Sequence, residues 1–304
     1  MRRPQIRCLR MLILPIALCA LTLQPNVAAR AGTRILFVPP RGYGAVTVRS
    51  DGADRKNVAA TLTIPVWWPA FSADAKGMFF ESEGPPGIFE IHSYPFGGGA
   101  ATRVTHNALY EIAISPSPNG KTLVFVRDKA SGPLLYSYRL ADATQKRLTR
   151  TATNTSPTWS PDGRRLCWIR NGTLWIMRAG GGRRHQVGSG IGVAGAAAWS
   201  PAGDTIAYVG QDGASIHEVS VDGSGDTEIL SATRAWGTEI TGLVWSPDAS
   251  RIAYTARKYD DVPEVWKTWV YVMRADGSGG RGHRAVRGSA QDWATKDPRR
   301  RGSR

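Results

Sequence analysis

Cysteine is almost absent from this chain. Only three of its 304 residues are cysteines, and two of these, Cys8 and Cys19, lie within the first 29 residues. Because Cys167 is then left without a second cysteine, the sequence excludes an internal disulfide framework after residue 29. Cys167 falls in a short apolar run and is predicted to be buried and unreactive.

The N-terminus lacks an apolar run long enough for a bilayer span. Residues 11–23 are largely apolar, but these 13 residues fall short of the roughly 20 that a transmembrane helix needs. Four arginines precede this run, and Val27, Ala28 and Ala29 follow it. This order predicts a signal peptide over residues 1–29, cleaved near Ala29, and hence export to the periplasm or the cell exterior. An uncleaved membrane anchor is the alternative.

Catalytic and metal-binding motifs are also missing. No serine has glycines two residues before and two residues after it, as the nucleophile of an α/β-hydrolase does. The five histidines lie far apart, without a pair at metal-ligand spacing. Asp222 and Asp226 flank a segment shorter than a calcium loop, and an Asp-Gly pair there predicts a hairpin turn. The sequence therefore predicts neither metal nor cofactor, and it favours a non-catalytic protein.

A repeated phrase is what the chain does contain. Trp-Ser-Pro-Asp-Gly at residues 159–163 returns with small changes at 199–203 and 245–249. Looser copies begin at Phe71, Pro116 and Trp293, so the first residue of the phrase, the anchor, recurs every 40 to 48 residues. A period of this length indicates one supersecondary unit stacked repeatedly on itself.

Each unit contains short apolar runs separated by turn signals. After Pro161-Asp162-Gly163, the run 164–169 is followed by Asn171-Gly172 and by a second run at 173–177. Pro-Asp-Gly and Asn-Gly are hairpin signals, and three hairpins join four antiparallel strands. Four-stranded units of this period are propeller blades. We predict an all-β, six-bladed β-propeller over residues 30–298, with the large anchor residues wedged between blades.

The ends of the chain complete this prediction. The first unit, from Arg34 to Ala60, has no anchor before it, whereas residues 291–294 contain the anchor Trp293 with almost no blade after it. We therefore expect the C-terminal strand to complete the first blade by pairing with the strand near Ile35. Residues 299–304 form a basic tail.

The net charge of +15 is concentrated near the C-terminus. Residues 281–304 contain eight basic and two acidic residues. Such a block is either a solvated tail or a contact with lipid headgroups or another acidic polymer. Export argues against nucleic acid as a partner.

The repeats resemble those of TolB-like propellers, also called PD-type repeats. The resemblance rests on residues 159–165, 251–254 and 272–279, and the repeats extend over about residues 34–297. TolB is a periplasmic component of the Tol-Pal system, and its propeller binds the lipoprotein Pal at the channel mouth. The chain resembles the propeller part of TolB without its N-terminal α/β domain. The resemblance predicts the fold. It does not predict the function, because one fold serves many functions.

Blade geometry predicts where a partner would bind. Loops between blades and loops joining second to third strands meet on one face around the channel, and there we expect a site for a protein or peptide of the cell envelope. The candidate residues from these loops and adjoining strand ends are Tyr43, Trp67, His106, Tyr110, Glu111, Trp236, Glu239, Tyr259 and Asp260. Cell-wall glycan is the second hypothesis. The third is a lyase or hydrolase in which Glu111, Glu239 and Asp260 supply an acid and a base. A monomer is expected.

Overall fold

The computed structural model describes ten stretches of the chain between Arg34 and Val286. These are residues 34–37, 44–49, 52–84, 88–107, 109–151, 153–187, 193–231, 238–260, 265–279 and 283–286. Their regular structure consists of β-strands. None of these stretches contains a helix with the length and apolar character needed to span a membrane.

The strands form six antiparallel sheets, numbered as blades 1 to 6 in chain order. Blade 1 contains β1 (Arg34–Phe37), β2 (Val46–Arg49) and β3 (Lys56–Asn57). Blade 2 contains β4 (Trp67–Phe71), β5 (Gly77–Gly84), β6 (Ile88–Pro95) and β7 (Thr102–Arg103). Blade 3 contains β8 (Glu111–Pro116), β9 (Thr122–Arg127), β10 (Leu134–Arg139) and β11 (Gln145–Arg147).

The remaining blades repeat the four-stranded pattern. Blade 4 contains β12 (Asn154–Trp159), β13 (Arg165–Arg170), β14 (Thr173–Arg178) and β15 (His185–Gln186). Blade 5 contains β16 (Val193–Trp199), β17 (Thr205–Gly210), β18 (Ser215–Ser220) and β19 (Thr227–Ser231). Blade 6 contains β20 (Thr238–Trp245), β21 (Arg251–Asp260), β22 (Val265–Arg274) and β23 (His283–Val286). The predicted all-β six-bladed propeller is confirmed.

The hydrophobic core is divided among the seams between blades. Six clusters of buried side chains occur in the described residues, and each joins two neighbouring blades. One of them packs Ile35 and Phe37 of blade 1 against Val270 and Val272 of blade 6. The sheets therefore close into a ring, and no blade buries its two faces alone.

The repeated phrase forms the hairpin between the first and second strand of a blade. In blade 4, the Ser160 hydroxyl donates to Asp162 Oδ1 (2.6 Å) and accepts from the Arg165 amide (2.9 Å). Gly163 has a φ of +67° there, which glycine adopts without a steric penalty. The same turn recurs in neighbouring blades, and an added Cβ at Gly203 would lie 3.5 Å from Pro161 of the preceding turn. We call the side of the ring with these hairpins the turn face.

Blade 1 has three strands in the part of the chain that the structure describes. β1 pairs with β2, from Arg34↔Arg49 to Phe37↔Val46, and β2 pairs with β3. In the other blades the first strand of the unit precedes the strand that corresponds to β1. The predicted closing strand at residues 291–294, the signal peptide and the basic tail all lie outside the described residues.

Candidate functional site

The first strands of blades 2 to 6 line a cavity of about 310 Å³. Its wall consists mainly of small residues, prolines and large rings. The rings and prolines that line it include Trp68, Phe71, Trp159, Trp199, Trp245, Pro118, Pro161 and Pro201. Because the prolines belong to the first hairpins, this central channel extends toward the turn face. None of the predicted partner-binding residues that the structure describes lines this cavity.

The anchor tryptophans lie between the blades, as predicted. Trp159 Nε1 donates to the Ser115 carbonyl of the preceding blade (3.0 Å), and Trp245 Nε1 donates to the Ala198 carbonyl (3.2 Å). Trp199 occupies the corresponding position in blade 5, but its buried Nε1 has no acceptor among the described residues. The Arg165 guanidinium lies 4.8 Å from the centre of its ring. The anchor tryptophans thus pack in the seams between blades and also line the channel wall.

Each first strand of blades 2 to 6 is interrupted by a register shift. The shifts lie between Trp67 and Ala70 in β4, between Ile112 and Ser115 in β8, and at matching places in the other three. Trp68 and Ala113 have positive φ angles of 40° and 57° at these points. Such bulges bend a strand and redirect its side chains and peptide groups. In each strand the bulge lies between the end that leads to the turn face and the end at the opposite face of the ring.

That opposite face, which we call the mouth face, holds the loops between blades and between second and third strands. Four aromatic residues run across it from the channel wall to the rim of blades 2 and 3. Ring centroids are 6.3 Å apart for Trp68 and Trp67, 6.2 Å for Trp67 and Phe89, and 5.8 Å for Phe89 and Tyr110. We call these four residues the aromatic row. Tyr110 is 42% exposed, the only large hydrophobic side chain counted as exposed among the described residues.

Behind the aromatic row lies a buried ion pair within blade 3. Glu111 is fully buried, and its Oε1 accepts from Arg127 Nε (2.9 Å), from Arg127 Nη2 and from Asn107 Nδ2 (2.8 Å). Arg127 also donates to Gln145 Oε1 (2.6 Å) and lies 4.4 Å from the centre of the Tyr136 ring. Glu111 is therefore engaged in a network that holds the first two strands of the blade together. This role leaves it poorly suited to general acid or base chemistry.

Glu81 is the second buried carboxyl at this seam. It lies in β5 opposite Trp67, is fully buried, and neither of its oxygens has a hydrogen bond of normal geometry among the described residues. Burial raises the pKa of Glu81 well above its usual value. The backbone amides of Ala113 and Ile114 pull that pKa down, whereas the Glu111 charge pushes it further up. Burial behind the channel wall thus favours the neutral form of Glu81.

The other candidate residues are dispersed. His106 is exposed in the connection between blades 2 and 3. Glu239 accepts from Arg257 within blade 6 (2.8 Å from Nε and 2.7 Å from Nη2), so it is paired on its own blade, as Glu111 is. Tyr43 and Trp236 lie outside the described residues. Tyr259 and Asp260 end β21, but their side chains are outside the described set.

A serine–histidine–aspartate arrangement in blade 5 escaped sequence analysis. Ser215 Oγ lies 3.1 Å from His217 Nε2, and His217 Nδ1 lies 3.6 Å from Asp226 Oδ1. However, Ser215 is 3% exposed and its hydroxyl donates to Asp212 Oδ1 (2.7 Å). The serine proton therefore points to Asp212 and not to the imidazole. A nucleophilic serine would instead donate its proton to the histidine, which acts as the base. Serine and histidine two residues apart on one strand gave no recognisable motif.

Potential metal ligands do not converge in the described part of the chain, where no group of three or more His, Cys, Asp or Glu residues could hold a metal ion. Asp222 Oδ1 accepts from the backbone amide (2.9 Å) and the hydroxyl (2.7 Å) of Ser224. These bonds are those of an Asx turn, in agreement with the hairpin predicted for this segment. Cys167 is fully buried, as predicted, and burial raises the pKa of its thiol.

Comparison with solved structures places this architecture among known propellers. TolB from Acinetobacter baumannii matches 77% of this chain at 20% identity, with a TM-score of 0.62. The putative TolB from Agrobacterium tumefaciens matches 84% at 19% identity, with a TM-score of 0.61. The fold is that of a TolB-like six-bladed propeller.

The chain spans 58% of the length of the A. baumannii TolB chain and 89% of the A. tumefaciens chain. An oligogalacturonate lyase in complex with manganese shares the architecture over 84% of this chain at 12% identity, with a TM-score of 0.55. No protein-family model matches the sequence, and no curated protein matches it. At such identities these likenesses establish the fold, and function has to be argued from the site.

Proposed function

We propose that this TolB-like propeller is an exported, monomeric, non-catalytic scaffold that binds a protein or peptide partner of the cell envelope or the cell exterior. The observation that carries the proposal is the aromatic row on the mouth face. It joins the channel wall at Trp68 to the exposed ring of Tyr110. Tryptophan and tyrosine are frequent anchors of protein interfaces because they bury a large area at a small entropic cost.

The geometry of the row favours a polypeptide over a glycan. Neighbouring rings are inclined to each other by 41° between Trp67 and Trp68, 69° between Trp67 and Phe89, and 30° between Phe89 and Tyr110. The rings thus form a packed cluster rather than a flat platform on which successive sugars could stack. A packed cluster with one exposed ring suits the side chains of a partner protein.

The two candidate carboxylates whose side chains the structure describes support a binding role over a catalytic one. Glu111 and Glu239 are each held by an arginine of their own blade. A lyase or hydrolase would need an acid and a base free to exchange protons with a substrate. These paired carboxylates stabilise the blades instead, whereas the aromatic row presents the exposed ring of Tyr110 on this face.

Export rests on the N-terminal sequence, with four arginines, an apolar segment and small residues in secretory order. N-terminal sequencing of the protein recovered outside the cytoplasm tests it. A mature chain beginning at or near Arg30 is expected. Recovery of the intact Met1 terminus in the cytoplasm would contradict the proposal.

The binding proposal is tested by affinity capture from an envelope extract. Wild-type protein should enrich one protein that Tyr110→Ala loses and that Tyr110→Phe, which keeps the ring, retains. Val221→Ala on the turn face is the matched control and should bind as wild type does. Equal capture by Tyr110→Ala and wild type would contradict a mouth-face site. Binding to a glycan array that depends on Tyr110, without protein capture, would replace the partner by a carbohydrate.

A further inference from the structure

Arg170 is an arginine of the mouth face that has no counter-ion within the described stretches of the chain. It ends β13, directly before the Asn171-Gly172 turn that joins the second and third strands of blade 4. It is half-buried, its Nε is fully buried without an acceptor, and its side chain forms neither a hydrogen bond nor an ion pair with the described residues. Its guanidinium lies 5.0 Å from the centre of the Trp175 ring. The stack holds the cation in place without neutralising it.

The neighbouring blade shows what this position otherwise contains. Arg127 and Arg170 both lie ten residues after the serine of the preceding turn, Ser117 in blade 3 and Ser160 in blade 4. Arg127 is paired across the strands with Glu111, whose carboxylate it binds. The strand partner of Arg170 is Asn154, which has no charge.

The side-chain amide of Asn154 is also hydrogen-bonded to groups other than Arg170. Its Oδ1 accepts from Trp168 Nε1 (2.9 Å), and its Nδ2 donates to the carbonyls of Pro133 (3.1 Å) and Thr151. Blade 3 has the apolar Val126 in this seam, at the position of the repeat where blade 2 has the acidic Glu81 beside Glu111. Blade 4 thus keeps the arginine of the pair, but no carboxylate of the described residues is paired with it.

A partly desolvated guanidinium without an anion is unfavourable, and an incoming anion would relieve that cost. The guanidinium presents planar donors that match both oxygens of a carboxylate, and stacking on Trp175 fixes its orientation in advance. We propose that Arg170 binds a carboxylate of the partner, from an aspartate or glutamate side chain or from a C-terminus. This inference rests on the proposed function, since it assigns the chemistry of the partner that the mouth face binds.

Anion binding can be measured without the partner. The probe is N-acetylglutamate, with N-acetylglutamine as the uncharged analogue and sodium chloride to match ionic strength. The Nε–H signal of Arg170 is observed by NMR and assigned by its loss in Arg170→Gln. N-acetylglutamate should shift this signal saturably, whereas N-acetylglutamine and chloride should not. A flat response, or an equal response to all three additions, would overturn the inference.

Two internal controls sharpen this titration. The Nε–H signal of Arg127 should not move, because Glu111 already occupies that guanidinium. Asn154→Asp places a carboxylate opposite Arg170 but loses the bonds to the Pro133 and Thr151 carbonyls. In folded protein, identified by an unchanged Arg127 signal, it should abolish the response of Arg170. A shift of Arg127 equal to that of Arg170 would show a general salt effect and contradict a site at Arg170.

A synthetic peptide array separates this inference from the proposed function. The array presents each sequence with a free or an amidated C-terminus and with Asp or Glu exchanged for Asn or Gln. Binding should require a carboxylate on the peptide. Arg170→Gln should lower the affinity for these peptides about tenfold, as expected for loss of a charge-assisted hydrogen-bond pair. Bound peptides indifferent to Arg170→Gln would refute the inference and leave the proposed function standing. A saturable shift of the Arg170 signal without any bound peptide would support an anion site at Arg170 and count against the proposed function.

Discussion

Glu81 in blade 2 and Val126 in blade 3 occupy the same position of the repeat, nine residues after the serine of the first hairpin. Ile169, Val209 and Thr255 occupy it in the next three blades. All five side chains are buried, and Val126, Ile169 and Val209 pack against the following blade. Blade 2 therefore places an acid where three of the other four blades have an aliphatic residue, and it does so beside the Glu111–Arg127 pair.

We expect this acid to make the stability of the propeller depend on pH. The pKa of Glu81 in the folded chain is raised well above 4.5, the ordinary value. Above pH 4.5 the unfolded chain releases this proton while the folded chain retains it. The free energy of unfolding should therefore fall as pH rises, by at most about 1.4 kcal/mol per pH unit from this group, until the raised pKa is reached. Chemical denaturation from pH 5 to pH 9 measures the slope.

Glu81→Gln provides the control, because it keeps the size and polarity of the side chain but cannot ionise. This variant should lose most of the slope, and its stability relative to wild type should increase toward high pH. The turn aspartates act in a lower range, since hydrogen bonds such as that from Ser160 to Asp162 lower their pKa. The same slope in wild type and Glu81→Gln would show that another group is responsible.

Removing Arg127 should destabilise blade 3 strongly. Arg127→Met would leave the fully buried carboxylate of Glu111 without its cation, which typically costs about 3–5 kcal/mol. The double variant Glu111→Gln/Arg127→Met should be more stable than Arg127→Met alone, because no buried charge remains. A double-mutant cycle by urea denaturation measures the coupling. Additive effects of the two substitutions would mean that the pair does not act as a unit.

The anchor tryptophans should respond unequally to removal of their indole N–H. Trp245→Phe deletes the hydrogen bond to the Ala198 carbonyl, whereas Trp199→Phe deletes an N–H that has no acceptor among the described residues. Both changes remove similar volume. We therefore expect Trp245→Phe to cost about 1 kcal/mol more than Trp199→Phe in free energy of unfolding. A larger loss in Trp199→Phe would contradict this account of the seams.

The closure of blade 1 is tested by two truncations. Removal of residues 287–304 deletes the segment proposed to pair with β1, whereas removal of 299–304 deletes only the basic tail. The longer truncation should lower the free energy of unfolding by about 3 kcal/mol or more, since it exposes a strand edge and removes the ring of Trp293. The shorter truncation should behave as the full chain does. Equal stability of both truncated chains would refute the closing strand.

Sequence repetition was sufficient to predict the blades, because the same turn chemistry recurs in phase. The phrase 159–163 fixes a hairpin through Ser160, Asp162 and Gly163, and its copies fix the period. The sequence could not show that Glu81 lies beside Glu111, since these residues approach only when blade 2 packs on blade 3. The same holds for the aromatic row, in which Phe89 links Trp67 to Tyr110 across two strands and a loop.

Arg170 shows a different limit of prediction. Its sequence neighbours do not distinguish it from other arginines at strand ends. Only the register Asn154↔Arg170, set against Glu111↔Arg127, reveals that an uncharged residue lies opposite it in place of a carboxylate. The repeat therefore predicted the scaffold, and the departures from the repeat point to function once the partners across the strands are known.

Site-specific photo-cross-linking in cells tests the central claim that the mouth face binds a partner. A benzoylphenylalanine at Tyr110 on the mouth face is compared with one at Asp222 on the turn face, both at exposed positions. We predict one discrete cross-linked protein at Tyr110, reduced by Arg170→Gln, and none at Asp222. Cross-linking at Asp222 without any at Tyr110 would contradict the account.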